Sequence, residues 1–229
     1  VGSEMCIRDR LVWRMLAAPC QAAYGAQSRL SARQKVLDDW SPVLRRSRIG
    51  KSFSETKATG QEAIRTAGGS ICRVISSDET AAHGSTLSVA VIDEAWAVGP
   101  EAEQAVRPAL STKRNGQLWI ASTAGNSRSA WWRQKVDVGR EAVEAGRTDG
   151  VAYFEWSAEP GVDISDPDVL AGFHPAVGHT VDADTIRADI AAMASPTEAA
   201  RAYGNIWADD LLDTGWTAID ADAWKAAKG

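Results

Sequence analysis

The sequence has few cysteines, no long apolar run and no excess of positive charge. Its three cysteines, Cys6, Cys20 and Cys72, have no metal-binding spacing and are odd in number, which indicates a reducing compartment. No apolar run approaches the ~20 residues that a membrane-spanning helix needs. With 30 acidic and 25 basic residues the net charge is -5. Any contact with nucleic acid therefore requires a local basic patch, not a bulk basic field.

A complete phosphate-cradling loop, G-x-x-x-x-G-K-[ST], is also absent from the sequence. Gly50, Lys51 and Ser52 match only its end. Arg45 stands at the early glycine position, and a charged helix is predicted before these residues, where such a loop needs a strand. The match is therefore not assigned as a phosphate loop.

What is present centres on residues 87–96. Residues 87–92 are mostly apolar and β-favouring, and Asp93 and Glu94 follow directly. A strand that is apolar on both faces is typical of the interior of a parallel sheet covered by helices on each side. Ligands bind at the carboxyl ends of such strands. In nucleotide hydrolases the first of two acids at this position holds Mg²⁺ and the second polarises the attacking water. A solvated acidic turn is the alternative.

The pattern of the whole chain predicts an α/β fold with a mostly parallel sheet flanked by helices. Strands are expected at residues 22–26, 62–66, 70–75, 87–92, 117–123 and 151–156, the second and third forming a hairpin around Gly68 and Gly69. Helices are expected at residues 11–18, 31–46, 101–110 and 129–145. Beyond residue 157 the composition changes, and short helices at 167–171, 183–193 and 196–206 predict a small helical subdomain.

A second motif, Ser122-Thr123-Ala124-Gly125, ends the strand that follows the acidic pair. Small polar residues end most strands, so the turn alone has little specificity. Its position after a helical crossover of ~20 residues predicts that it lies in an adjacent parallel strand, beside Asp93 and Glu94. Hydroxyls placed there can sense a γ-phosphate and pass its loss to a neighbouring segment.

Five motifs in this order resemble the large terminase subunit of tailed double-stranded DNA phages, the motor that packages DNA into proheads. They are Tyr24-Gly25-Ala26-Gln27-Ser28, Ala82-His83-Gly84, Val91-Ile92-Asp93-Glu94-Ala95, Arg107-Pro108-Ala109 and Leu118-Trp119-Ile120-Ala121-Ser122-Thr123-Ala124-Gly125. The resemblance extends to about Trp207, and the ordered set is far more specific than any one motif.

The resemblance implies a P-loop NTPase fold of the RecA/ASCE type and an ATPase that uses ATP and Mg²⁺. Asp93 then corresponds to the Walker B magnesium ligand and Glu94 to the catalytic glutamate. Ser122, Thr123 and Ala124 match the coupling motif that links hydrolysis to DNA movement.

The resemblance further implies nucleotide or DNA contacts for Gln27, His83 and Arg107, although a structural salt bridge within a helix is the alternative for Arg107. The implied partners are double-stranded DNA, the phage portal, the small terminase subunit and further copies of the chain. No membrane contact is expected, and the implied location is the cytoplasm of the bacterial host.

The chain departs from the family pattern at both ends. We expect an N-terminally truncated chain in which residues 1–10 are a non-native leader, excluded from the fold, and the true phosphate loop lay upstream. Residues 11–157 are then a partial ATPase core, 158–207 the helical subdomain and 208–229 a connector toward a missing nuclease domain. Two sets of acids could imitate the metal site of that nuclease, but both are predicted to be solvated loop residues. The first set is Asp163, Asp166 and Asp168, and the second is Asp209, Asp210 and Asp213.

Other interpretations stay open at this point. Asp93-Glu94-Ala95-Trp96 with Ser122-Thr123-Ala124 also imitates motifs of DEAD-like helicases, which would carry a second RecA-like domain downstream. A non-catalytic phage assembly or docking module is a third interpretation, since without a phosphate loop the fragment is expected to bind ATP poorly and to be inactive alone. The densest basic cluster, Arg45, Arg46, Arg48 and Lys51, is either a DNA-backbone contact or a solvated surface.

Overall fold

The computed structural model describes residues 2–76, 86–159 and 161–207. The chain divides into two compact units. The first comprises Val1–Thr123 and Ser129–Val138, and the second comprises Ala124–Arg128 and Gly139–Gly229.

The first unit contains both helices and strands. Its helices are α1 (Gly2–Ala17), α2 (Arg29–Arg33), a π-helical segment (Gln34–Trp40), α3 (Ser41–Arg46) and α4 (Pro100–Ser111), and its strands are β1 (Gln21–Gly25), β2 (Phe53–Thr56), β3 (Ala63–Thr66), β4 (Ile71–Val74), β5 (Val89–Ile92) and β6 (Gln117–Ile120). Helix α5 (Ala130–Glu144) contributes residues to both units, and the second unit contains α6 (Pro167–Phe173), α7 (Ala183–Ala192) and α8 (Pro196–Gly204).

The six strands form one sheet in the order β2-β3-β4-β1-β5-β6. Strands β4, β1, β5 and β6 are parallel, and β3 is antiparallel to both β2 and β4. The sequence prediction of an α/β fold with a mostly parallel sheet flanked by helices is therefore confirmed. Strand β5 lies between β1 and β6, and all four of its residues are buried, as its continuous apolar sequence predicts.

The main core lies between the sheet and two helical segments, α1 and the continuous stretch from Arg29 to Arg46. Alternate residues of β1 and β5 enter this core together with residues of both helical segments: Ala22, Tyr24, Val89, Val91, Leu11, Met15, Val36, Leu37, Trp40 and Leu44. The ring of Trp40 meets that of Tyr24 edge to face, with the centroids 4.7 Å apart. Packing of this kind fixes Tyr24, which reaches the carboxyl end of β5.

The start of the fold differs from the prediction. Helix α1 begins at Gly2 instead of Leu11, and Ile7 is buried together with Leu11 and Met15. These three residues are spaced four apart, so they form one apolar stripe on one face of the helix. Excluding residues 1–10 from the fold was therefore wrong; that they are a non-native leader stays a prediction.

Two strand predictions also fail. Strand β2 was not predicted, because Phe53–Thr56 has too few apolar residues to produce a strand pattern. Residues 151–156 were predicted as a strand but pair with no strand among the described residues. Side chains hold this segment instead: Arg140 donates two hydrogen bonds to Glu155, at 2.9 and 2.6 Å, and the Tyr153 hydroxyl donates a third at 2.7 Å.

The short helices of the second unit form where the sequence predicts them, and their first residues explain why. The side chains of Asp166, Asp182 and Ser195 accept hydrogen bonds from backbone N–H groups at the starts of α6, α7 and α8. Asp163 accepts hydrogen bonds from Ser165. These acids therefore serve local turns and caps, whereas the second acidic set, residues 209–213, lies outside the described residues.

Candidate functional site

Asp93 lies directly after β5 and is buried, although it carries a carboxylate. Its backbone N–H donates to the carbonyl of Gly25 at 2.9 Å. Oδ2 accepts a 2.6 Å hydrogen bond from the hydroxyl of Tyr24, and Oδ1 accepts one from the backbone N–H of Glu94 at 3.0 Å. Because an ionised carboxylate is costly to bury without partners, these bonds let it stay in the core.

The partner Tyr24 was missed as a site residue, since 69 residues separate it from Asp93. The available signal was local. A tyrosine at the end of a strand otherwise made of small residues needs a hydrogen-bond partner for its hydroxyl when the ring is buried.

Glu94 has a left-handed backbone conformation, with φ 52° and ψ 45°. Residues other than glycine rarely adopt it, because it costs about 1–2 kcal/mol. Its Oε2 accepts a 2.7 Å hydrogen bond from the indole Nε1 of Trp96. Oε1 accepts no hydrogen bond from any residue that the structure describes. One oxygen of the carboxylate is thus held by the Trp96 indole.

The turn after β6 reaches the acidic pair, as predicted. Strands β5 and β6 are parallel neighbours, with Ile92 opposite Ile120. The Oγ of Ser122 accepts a 2.9 Å hydrogen bond from the backbone N–H of Trp96, two residues beyond Glu94. The structure therefore brings the hydroxyl turn and the acidic pair to the same edge of the sheet.

The boundary between the two units of the chain falls within this turn. Thr123 belongs to the first unit, and its carbonyl accepts a hydrogen bond from the indole of Trp132 at 2.9 Å. Ala124 belongs to the second unit. There its N–H donates to Oδ1 of Asn205 at 2.6 Å, and its carbonyl accepts from the guanidinium of Arg201 at 2.9 Å.

A cavity of about 450 Å³ opens beside the acidic pair. Its lining includes Tyr24, Gln27, Asp38, Asp39, Asp93 and Glu94. The π-helical segment contributes both Asp38 and Asp39, and π-helical turns occur frequently at functional sites. The cavity is polar and accessible to a small ligand.

The three residues predicted as nucleotide or DNA contacts have different positions. Gln27 lines the cavity and donates a 3.4 Å hydrogen bond to Ser31. Arg107 does not line it; its guanidinium forms an ion pair with Glu103 at 2.5 Å and its side chain is 63% exposed. His83 lies outside the described residues.

Glu103 is a buried acid that the sequence analysis missed. Burial alone would raise the pKa of its carboxyl. Hydrogen bonds from Lys135 at 2.6 Å, from Arg107 and from the indole of Trp131 at 3.1 Å outweigh burial and lower that pKa. Glu103 thus fastens α4 to the first turns of α5, and Trp131 serves this packing.

Gly50, Lys51 and Ser52 form a short turn at the amino end of β2, after a helix and before a strand. Strand β2 is antiparallel to β3 and β3 to β4, so β2 runs in the same direction as the parallel strands. Its amino end therefore lies at the sheet edge opposite to Asp93. The glycine is required by close packing, because a Cβ there would lie 2.1 Å from the carbonyl oxygen of Arg45.

The donor set fits magnesium held together with a nucleotide better than a closed metal cage. No group of three or more His, Cys, Asp or Glu side chains within the described ranges could hold a metal ion. Mg²⁺ is usually held by one or two carboxylates, waters and substrate phosphates. Asp93 supplies one such carboxylate, and it lines the cavity. In the same ranges no helix is both long and apolar enough to cross a membrane.

Comparison with known proteins gives a likeness in structure only. No protein-family model and no curated protein matches the chain. Its structure is similar to the large terminase of bacteriophage HK97, with a TM-score of 0.74 and 18% identity over 90% of this chain and 44% of that one. The chain thus spans less than half the length of the HK97 protein.

Two further likenesses have TM-scores too low to carry an argument. The first is the large terminase of a thermophilic bacteriophage, with a TM-score of 0.48 and 11% identity over 58% of this chain and 34% of that one. The second is the ATPase domain of the Thermus phage P74-26 large terminase, with a TM-score of 0.44 and 20% identity over 55% of this chain and 56% of that one. The sheet order, the flanking helices and the HK97 likeness together show that this chain shares the fold of the part of the HK97 large terminase that it matches.

Proposed function

We propose that this chain is part of an ATP-hydrolysing DNA-packaging motor, a phage terminase large subunit. The observation that carries the proposal is the junction at the carboxyl edge of the sheet. There Asp93 and Glu94 follow a buried parallel strand, and Ser122, from the turn after the neighbouring strand, is bonded to the segment that holds them. The fold shared with the HK97 large terminase supports the same conclusion.

In this proposal Asp93 is the magnesium ligand of a Walker B motif. Mg²⁺ bound with ATP would neutralise charge on the phosphates during transfer. The hydrogen bond from Tyr24 orients the carboxylate, and the bond from the Glu94 backbone N–H fixes its second oxygen. Because the group is buried and held from both sides, it is preorganised to receive a cation.

Glu94 orients the attacking water and accepts its proton. The indole of Trp96 holds Oε2, so Oε1 is the oxygen that accepts the proton. Ser122, Thr123 and Ala124 couple the loss of phosphate to movement. Support comes from their contacts: Ser122 is bonded to the segment after Glu94, and both backbone groups of Ala124 are bonded in the second unit.

The phosphates of ATP need a loop that these 229 residues do not contain as a recognisable motif. We infer that another part of the protein supplies it, because Gly50, Lys51 and Ser52 lie at the wrong edge of the sheet. The isolated chain is then expected to bind ATP weakly. A titration showing micromolar ATP affinity for the 229-residue chain would contradict this.

Double-stranded DNA, the portal, the small terminase subunit and further copies of the chain are the partners in this proposal, in the cytoplasm of the bacterial host. Arg45, Arg46, Arg48 and Lys51 are exposed, which suits contact with a DNA backbone. Replacing one of them should weaken DNA binding and lower its salt slope by about 1.

The deciding experiment measures ATP hydrolysis and ATP binding of the full-length gene product and its Glu94→Gln variant. The amide keeps the size of the side chain but cannot accept a proton, so turnover should be lost while ATP binding is retained. Glu101→Gln is the matched control, since Glu101 is exposed in the first turn of α4. Hydrolysis that survives Glu94→Gln would show that the catalytic assignment is wrong.

A further inference from the structure

Trp96 is held by hydrogen bonds at three separate points. Its backbone N–H donates to Oγ of Ser122 at 2.9 Å, and its carbonyl accepts from the hydroxyl of Ser129 at 2.6 Å. Its indole Nε1 donates to Oε2 of Glu94 at 2.7 Å. The backbone of this residue is therefore fixed by the turn after β6 and the start of α5, and its side chain is bonded to the acid.

The backbone around Glu94 needs such support. Glu94 has the left-handed conformation, which is disfavoured for any residue with a Cβ. The N–H of Ala95 donates to the carbonyl of Ala121 at 3.2 Å, and the N–H of Ala97 donates to the carbonyl of Glu94 at 2.9 Å. The strained residue is thus supported on one side by a contact with the segment after β6 and on the other by the turn of Trp96.

The indole determines which way the Glu94 carboxylate points. An indole nitrogen is only a donor, so it can bind a carboxylate oxygen but does not take up a proton itself. The bond to Oε2 restricts the rotation of the carboxylate, and Glu94 is one of the residues that line the cavity. Orientation of this kind is what a water-positioning group requires.

We propose that Trp96 is a positioning residue through which the Ser122 turn sets the orientation of Glu94. The inference rests on the proposed function only in taking Glu94 as the catalytic group. A shift of the turn moves the Ser122 hydroxyl, the backbone of Trp96 follows because it is bonded there, and the indole carries the Glu94 carboxylate with it. Loss of either hydrogen bond uncouples the turn from the acid.

The first test needs no ATPase activity. In the 229-residue chain the ten tryptophans give separate indole N–H signals in ¹H–¹⁵N spectra, and Trp96→Phe identifies the signal of Trp96. Glu94→Ala should shift this signal and make its hydrogen exchange about 10- to 100-fold faster, since a bond to a charged acceptor is lost. The Trp131 signal, which depends on Glu103, is the internal control and should not move.

The link to the turn is tested by a matched pair. Ser122→Ala removes the acceptor of the Trp96 backbone N–H and should also shift the Trp96 indole signal, whereas Ser122→Thr keeps a hydroxyl and should leave it in place. If the Trp96 indole signal shifts in neither Glu94→Ala nor Ser122→Ala, the proposal is overturned. A signal that responds to Glu94→Ala alone overturns it as well.

The second test separates this inference from the proposed function. In the full-length gene product Trp96→Phe should lower kcat about tenfold and leave the KM for ATP unchanged, because the acid remains but is no longer oriented. An unchanged kcat overturns the positioning role while the ATPase assignment stands. Turnover that survives Glu94→Gln removes the ATPase assignment itself, whatever Trp96→Phe does.

Discussion

The hydroxyl of Tyr24 donates a 2.6 Å hydrogen bond to Oδ2 of Asp93, and the two side chains are 0% and 6% exposed. The bond connects the ends of two adjacent parallel strands, β1 and β5. It therefore combines two tasks. It satisfies a buried acid, and it orients the carboxylate that we propose as the magnesium ligand.

Replacing Tyr24 by Phe should lower the free energy of unfolding by about 2 kcal/mol, the usual contribution of a hydrogen bond to a charged group. Urea unfolding followed by circular dichroism measures the change. Tyr203→Phe is the matched control, because its hydroxyl bonds Asp189 at 3.1 Å at an exposed position, and it should change stability by less than about 0.5 kcal/mol. If both variants change the free energy of unfolding equally, the buried bond to Asp93 contributes no more to stability than the exposed bond to Asp189.

Glu103 and Arg107 should differ strongly in their importance for stability. Glu103→Ala removes a buried carboxylate that accepts hydrogen bonds from Lys135 and Trp131, both of them half-buried, and should cost about 2–3 kcal/mol. Arg107→Ala removes a guanidinium that is largely exposed and should cost less than about 1 kcal/mol. Thermal unfolding of both variants checks this, and a large loss for Arg107→Ala would contradict it.

The parts of the fold that the sequence predicts well are those with a local pattern. Strand β5 is a continuous apolar run, and the hairpin of β3 and β4 turns at Gly69, whose φ of 85° suits glycine. The buried stripe of the Arg29–Arg46 stretch follows from its helical spacing. In each case the spacing of apolar residues or a turn glycine is enough to predict the element.

The parts that were not predictable depend on distant residues. Neither the Tyr24 bond to Asp93 nor the Asn205 bond to Ala124 has a local signature, since 69 and 81 residues separate the partners. Residues 151–156 show the opposite case. Their alternation is typical of a strand, yet Glu155 is bonded to Arg140 and no strand pairs with them in the described part of the chain.

The three cysteines should differ in reactivity. Burial raises the pKa of the Cys72 thiol to about 12 and also raises that of Cys20, whereas Cys6 is exposed on α1. Only thiolates react rapidly with disulfide reagents. At neutral pH we expect one thiol of the native chain to react quickly, and all three after denaturation. Fast labelling in a Cys6→Ser variant would contradict the burial of the other two.

The pair of Glu155 and Arg140 should make stability depend on acid pH. The hydrogen bonds from Arg140 are the main cause that lowers the pKa of Glu155 below its ordinary value of 4.5. A carboxyl with a lowered pKa contributes stability that is present above that value and is lost as the pH falls through its lower folded value. Unfolding midpoints in urea, measured from about pH 3 to 7, should therefore fall less steeply with acid in Arg140→Gln than in the unchanged chain.

Arg187→Gln provides the control, because its ion pair with Asp184 is exposed on both sides and should leave the pH dependence unaltered. Identical pH profiles for Arg140→Gln and the unchanged chain would mean that the pair contributes nothing.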